Sequence, residues 1–343
     1  MSTNNHQVAV YGAYGHTGRF VVAELRDRGF TPVLSGRDED RLRALAAAHP
    51  GTAVRPAAVD DPAALDRALA GVAAVINCAG PFAVTAGPVI EAALRAGIPY
   101  LDVAAEIEAN LDTFAHFGDR ARAAGATVVP AMAFYGGLGD LLVSAVLAGE
   151  TRADEVHVGY GLSSWQPTAG TRAAGVVSSQ RRDGRRVRYQ DGRLQYHDAE
   201  PTTLTWDFPA PIGPRTVLAE FTMADVVTLP SHLDVGEVCT YMTTEAARDL
   251  AAPDTSTPAA GGQGRLAETF VVEVLVRDKG TERRAVARGR DIYAVTAPLV
   301  VEAVRRVLAG ETRAVGVASA GEIFDPADFL RVLAARGALD VTL

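Results

Sequence analysis

Val8-Ala9-Val10-Tyr11-Gly12-Ala13-Tyr14-Gly15-His16-Thr17-Gly18-Arg19 is the stretch that decides the fold of this 343-residue chain. It reads as a short buried strand, a glycine turn, and a helix running from about Arg19 to Arg28. Gly12 lets the chain leave the strand sharply, Gly15 lets a pyrophosphate approach the backbone without meeting a Cβ, and Gly18 lets the helix lie close to the strand. Unpaired amides at the helix start, and the positive end of its dipole, then favour an anion. The spacing is G-x-x-G-x-x-G rather than the commoner G-x-G-x-x-G, so the strand before it and the helix after it carry the reading. Tyr14, His16 and Thr17 lie inside the turn and complete the expected phosphate-facing set.

The next strand, Thr31-Pro32-Val33-Leu34-Ser35-Gly36, ends in the polar turn Arg37-Asp38. In a dinucleotide fold this end lies beside the adenine ribose, where an NAD protein usually places an acid to accept from the 2′-hydroxyl. Ser35 and Arg37 occupy the tip instead, which suits a 2′-phosphate, because a guanidinium pairs with phosphate through two charge-assisted bonds. Asp38 is expected to cap the helix that carries Leu42 and Leu45. A solvated Arg37 on a plain turn is the alternative. The expected cofactor is NADP(H).

Strand and helix then alternate. Strands are expected at residues 54–59, 73–77, 100–104 and 127–131, with helices ending near Leu69 and spanning residues 84–96 and 107–124. Asp60-Asp61-Pro62 is a helix start, with Pro at the first helical position. Strands separated by helices of this length imply right-handed crossovers and a parallel sheet, with ligands beyond its carboxyl edge. That edge draws Asp60, the run Cys78-Ala79-Gly80-Pro81 and Ala104 into the cofactor site, and makes residues 77–82, 104–106 and 132–140 the walls of its nicotinamide side.

Beyond Gly149 the pattern changes. Residues 155–162, 186–189, 194–197, 217–221, 225–229, 237–243 and 270–277 read as strands, and Asp183-Gly184 and Asp191-Gly192 as hairpin turns. Residues 252–264 (APDTSTPAAGGQG) are of low complexity and read as a loop. From Thr296 the chain returns to a helix over 299–308, a short strand near 314–317, and a final helix over 326–336. The expected organisation is a cofactor-binding α/β domain over residues 1–150, an α+β substrate and dimerisation domain with a mostly antiparallel sheet over 151–295, and a helical segment over 296–343.

Composition narrows the function. A net charge of −8 and 48% hydrophobic residues describe an acidic globular chain, against a nucleic-acid partner. The basic run Arg181-Arg182-Asp183-Gly184-Arg185-Arg186-Val187-Arg188 is read as a solvated hairpin, with a substrate anion as the alternative ligand for one arginine. Only one of the 33 basic residues, Lys279, is a lysine, and its turn setting argues against Schiff-base chemistry. Cys78 and Cys239 fall in unrelated segments and read as reduced thiols of a cytoplasmic protein. No spacing suggests a metal site, and no apolar run reaches the roughly 18 residues of a membrane span.

GAYGHTGR at Gly12 to Arg19, SGRD at Ser35 to Asp38, NCAGPF at Asn77 to Phe82, YLDVAAE at Tyr100 to Glu106, and Thr296-Ala297-Pro298 with GEIFDPADFL resemble the saccharopine dehydrogenase-like reductases. That family includes saccharopine reductases and trans-acting enoyl reductases. The resemblance implies an NADPH-binding Rossmann domain, a following α+β domain with a mixed sheet, and last helices that pack back on the first domain. The chain has Ala105 where the family often has glycine, and Phe134-Tyr135-Gly136-Gly137-Leu138-Gly139-Asp140 where the family has a Gly-Phe-Asp-Ser-type loop.

Hydride chemistry asks the protein only to orient an acceptor and handle a proton. Tyr135 in the glycine-rich loop, Glu106, Asp102 and Cys78 are the candidates near the strand ends, Tyr135 first. Each has another reading: Tyr135 as a packing aromatic, Asp102 as an acceptor of backbone amides, Glu106 as the start of a helix. The expected function is an NADPH-dependent reductase of a C=N or conjugated C=C bond in a small or carrier-bound substrate, with a homodimer through the second domain. The alternative is an NADPH-binding redox sensor without turnover.

Overall fold

The computed structural model describes residues 6–252 and 268–343. The expected loop at 252–264 therefore lies, beyond Ala252, outside the described residues. The first half is β1 (Gln7–Tyr11), α1 (His16–Asp27), β2 (Thr31–Gly36), α2 (Glu39–Ala48), β3 (Ala53–Pro56), α3 (Pro62–Leu69), β4 (Ala74–Asn77), α4 (Phe82–Ala96), β5 (Tyr100–Asp102), α5 (Ile107–Ala123), β6 (Thr127–Val129) and α6 (Gly137–Leu147). Local chemistry marks the starts: Asp38 accepts the Arg41 amide and Asp61 the Ala64 amide, each capping its helix. The central strands are short and buried on both faces, as parallel strands between two helix layers must be, while β3 lies at the exposed edge.

The second half is β7 (Arg152–Leu162), α7 (Ala169–Arg181), β8 (Arg186–Gln190), β9 (Arg193–His197), β10 (Thr203–Asp207), β11 (Pro214–Ala219), α8 (Asp225–Thr228), β12 (Asp234–Thr243), α9 (Thr244–Ala251), β13 (Thr269–Asp278) and β14 (Thr281–Arg290). It closes with α10 (Thr296–Leu308), β15 (Gly316–Val317), α11 (Ala320–Ile323), α12 (Pro326–Ala335) and β16 (Asp340–Thr342).

The first sheet has the order β15-β6-β5-β4-β1-β2-β3, every pairing parallel. The connections reverse direction between β1 and β4, so the crevice for a ligand opens there. The second sheet runs β10-β11-β12-β7-β13-β14-β16, antiparallel except for β12 beside β7. A hairpin of β8 and β9, turned at Asp191-Gly192, joins the edge of β12. One continuous apolar core joins the two halves, from Val8 and Val10 through Leu138, Leu141 and Leu142 to Val156, Val158 and Val274. The last helices return to the first domain. Glu302 on α10 takes Arg28 of α1 at 2.7 Å with both side chains buried, and Arg306 holds the same carboxylate at 2.9 Å. Among the described residues no helix is long and apolar enough to cross a membrane.

Several local expectations change. Residues 225–229 are not a strand: Asp225 starts the helical turn α8, where Thr228 bonds back to Ala224. A short apolar run buried all round carries no period that separates the two conformations. Asp183-Gly184 links α7 to β8 rather than two strands. The helix α7 escapes notice because Ser178 is its one buried residue, which leaves no apolar stripe to read.

Candidate functional site

The glycine turn and the start of α1 stand at the carboxyl edge of the first sheet. Gly12 has φ +83°, and a Cβ there would lie 2.9 Å from Ala79, so this position tolerates no side chain. A Cβ on Gly18 would sit 2.3 Å from the Gly12 carbonyl, which makes Gly18 the contact that lets helix and turn touch. Gly15 differs: its Cβ would meet the Gly12 carbonyl at 3.1 Å and the Cys78 carbonyl at 4.0 Å, with open space otherwise. No side chain caps α1 and no acid lies in its first turn. Its amides are thus left for an anion, and the turn fits a pyrophosphate. His16, exposed at the helix start, meets Phe20 and Tyr293 edge-on with centroids 5.3 and 5.0 Å away. Partial burial holds its imidazole below the usual value; Asp291 pulls it up and Arg19 pushes it further down. Tyr14 and Thr17 are half-buried in the same turn.

At the end of β2, Ser35 is fully buried, its carbonyl accepts the Gly12 and Ala13 amides at 2.8 and 3.2 Å, and its hydroxyl has no partner among the described residues. The hydroxyl expected at the tip is therefore inside the sheet. Arg37 is exposed at the tip, and Asp38 is engaged as the cap of α2 at 3.0 Å. Tyr14 lies across Gly36, and the Arg41 guanidinium carbon stands 4.4 Å from the centre of its ring. Asp60 is exposed near this end: Tyr11 feels Arg37 and Asp60 with opposite sign, while burial is the main reason its phenol is pushed up to about 12.

The loop after β4 is held by a buried polar network. Asn77 accepts the Ala79 amide at 3.0 Å and donates to Thr85 and Tyr100, each at 3.2 Å. Thr85 returns a bond to the Ala79 carbonyl at 2.5 Å. The Gly80-Pro81 peptide is cis. Glu106 caps α4 from outside that helix, accepting the Phe82 and Ala83 amides at 2.7 and 3.1 Å. Burial raises its carboxyl and these two bonds pull it back. Asp102 accepts from the Ala104 amide at 3.0 Å, the Ala131 amide at 2.8 Å and the Tyr100 hydroxyl at 2.8 Å. Burial pushes it up to about 6 against those bonds. Both carboxylates expected to handle protons thus fasten the loops of the carboxyl edge. Cys78 is half-buried, and burial, then Asp102, push its thiol up.

Tyr135 sits where the two halves meet, with ring centres 4.8 Å from Phe134, 4.9 Å from Tyr160 and 5.7 Å from Trp165. Its hydroxyl has no partner among the described residues, and burial, then Tyr293 and Asp225, raise it well above the ordinary phenol value. Opposite, the Tyr293 hydroxyl gathers Trp165 Nε1 at 3.0 Å, the Thr168 amide at 3.2 Å and the Thr171 hydroxyl at 3.0 Å. This hub fixes the start of α7 above the loop: a Cβ on Gly80 would come within 4.0 Å of the Gly170 carbonyl. The far end of α7 is tied to α5 by Arg181 to Asp112 at 2.7 Å and Arg182 to Glu108 at 3.2 Å. Arg186 faces Glu220 at 3.4 Å. The basic run is thus a helix end and a strand with acidic partners, not a solvated hairpin. Sequence reasoning missed Thr85, Trp165, Thr171, Tyr293 and Arg41. Among the described residues no group of His, Cys, Asp or Glu is arranged to hold a metal ion.

A parallel sheet with its switch point at a glycine turn, and free helix amides facing that crevice, defines a dinucleotide-binding protein of the Rossmann type. Residues 8–129 match the family described as saccharopine dehydrogenase NADP binding domain. Over 144 residues the chain is 32% identical to an Arabidopsis thaliana protein named a probable mitochondrial saccharopine dehydrogenase-like oxidoreductase; the match covers 38% of this chain and 32% of that one. This chain thus spans about a third of that relative's length. The apo, histidine-tagged saccharopine dehydrogenase (L-Glu forming) of Saccharomyces cerevisiae shares the fold with a TM-score of 0.65 at 13% identity, over 98% of this chain and 99% of that one.

Proposed function

We propose that this protein is an NADPH-dependent oxidoreductase that reduces a C=N or conjugated C=C bond of a small or carrier-bound metabolite. The observation that supports the cofactor choice is Asp38, whose carboxylate is engaged as a helix cap at 3.0 Å while Arg37 beside it stays exposed. An acid so engaged is poorly placed to accept from a ribose 2′-hydroxyl, whereas a guanidinium at this tip pairs with a 2′-phosphate.

When bound, the cofactor supplies a hydride at its nicotinamide ring. The chain's own residues do the rest. The start of α1 binds the pyrophosphate. The 78–82 loop, stiffened by Asn77, Thr85 and Glu106, forms one wall, and the segment from Trp165 to Thr171, held by Tyr293, faces it. Tyr135 is the first choice for the proton, since Asp102 and Glu106 are taken up by backbone amides. The same reading has the protein in the cytoplasm as a homodimer through its second sheet, which light scattering on a variant of that sheet's edge tests.

NADPH and NADH titrations of wild type and Arg37→Ala test the cofactor. Losing one charge-assisted contact to phosphate costs about 1.5–3 kcal/mol, roughly tenfold to a hundredfold in affinity. Equal affinities of the wild type for the two cofactors would overturn the assignment. The burial of Tyr135, whose hydroxyl has no partner among the described residues, favours a second reading, an NADPH-binding redox sensor without turnover. NADPH consumption with any imine or enone decides between them.

A further inference from the structure

We infer that Arg41, seated on the ring of Tyr14, is the residue that sets the choice between a 2′-phosphate and a 2′-hydroxyl, gripping the phosphate together with Arg37 in a role that Ser35 does not share. The inference rests on the NADPH reading above and assigns it a residue. Tyr14 leaves the phosphate turn and packs on Gly36, where a Cβ would lie 2.9 Å from its ring. The ring therefore covers the carboxyl end of β2, the place where this fold puts the adenosine ribose. Arg41, in the first turn of α2, puts its guanidinium carbon 4.4 Å from the centre of the same ring. That is cation–π distance, and it brings a second cation to the tip that already carries Arg37.

Nearby acids have other work. Asp38 accepts the Arg41 backbone amide, and Glu39 pairs with Arg43 at 2.6 Å. Asp40 is exposed, and no ion pair joins it to Arg41 among the described residues. Ser35, by contrast, is fully buried and offers the tip no hydroxyl. A phosphate has three strong acceptor oxygens, and two planar guanidinium groups flanking it match that demand better than one. Stacking on Tyr14 also holds the Arg41 side chain in place beforehand, so less rotamer freedom is lost on binding.

The test uses the full chain with two probes that differ only at the 2′ position, adenosine 5′-monophosphate and adenosine 2′,5′-bisphosphate. Calorimetric titration at fixed salt gives the ratio of their affinities for wild type, Arg41→Gln, Arg41→Lys and Arg43→Gln. The wild type is expected to prefer the bisphosphate, and Arg41→Gln to lower that preference about tenfold or more. Arg41→Lys, with the charge but not the planar stack, should fall between them, and Arg43→Gln should match wild type. Arg41 is exposed, so each variant is expected to fold, which circular dichroism checks. An undiminished preference in Arg41→Gln, or an equal loss in Arg43→Gln, overturns the role of Arg41 while leaving the NADPH reading intact. A wild type with no preference overturns both.

Discussion

Tyr135→Phe separates packing from chemistry at the junction of the two halves. The variant keeps the ring and its contacts with Phe134, Tyr160 and Trp165, and removes a hydroxyl that is buried and without a partner among the described residues. A hydroxyl buried without a hydrogen bond costs about 1–3 kcal/mol, so its removal should stabilise the protein by roughly 1–2 kcal/mol. Denaturant titration reads this as a higher midpoint at unchanged slope. If the same hydroxyl gives the proton, turnover should fall by about a hundredfold or more, with NADPH affinity unchanged, in single-turnover stopped-flow kinetics. More stability with less activity is the mark of a group kept for function at the expense of the fold. A less stable variant would show that the hydroxyl has a partner and refute the burial argument. A near-wild-type rate would pass the proton to Glu106, Asp102 or a water molecule.

Gly15→Val should abolish NADPH binding while circular dichroism stays close to wild type, because its Cβ meets only the Gly12 carbonyl closely, at 3.1 Å; retained binding would take the phosphate away from this turn. Glu106→Ala should destabilise the protein by about 1–3 kcal/mol by leaving the Phe82 and Ala83 amides unpaired, measured by denaturation, and an unchanged midpoint would dismiss the cap. His232 bonds Asp140 at 2.8 Å; burial works against its charge, but Asp140 and then Glu322 raise the folded imidazole above its ordinary 6.5. Its contribution is therefore full below about pH 6.5 and is lost as pH rises through the higher folded value. His232→Gln should flatten the profile of melting temperature in that window, and an unaltered slope would refute the coupling.

The first half of the fold was legible because its signals are local. Asp38 and Asp61-Pro62 mark helix starts within a few residues, and strands buried on both faces read as apolar runs. The second half hides its elements. The strand β14, TERRAVARGR, looks helical in composition and is held as a strand by its pairing with β13 and β16. At the site the glycine turn was legible, since its chemistry lies in adjacent residues. Asp102 as an acceptor of backbone amides and Glu106 at a helix start were legible as alternatives, but their distant partners Ala131 and Phe82 were not, because these come from other loops. Tyr293 stands against His16 only because the chain returns from the second sheet to the first. Ser35 was placed on the right strand, but on the face turned to the interior.

The two short strands near the end of the chain make the order of synthesis matter. β15 supplies the outer partner of β6 in the first sheet, and β16 the outer partner of β14 in the second. Until Gly316 and Val317 have left the ribosome, the cofactor-binding sheet presents the outer side of β6 as a bare edge, its inner side being paired with β5. Folding of this half thus waits on residues made long after β6, a long-range pairing of the kind that slows folding and exposes nascent chains to one another. A premature stop ahead of Gly316 should therefore yield aggregate rather than a shorter, working cofactor-binding domain.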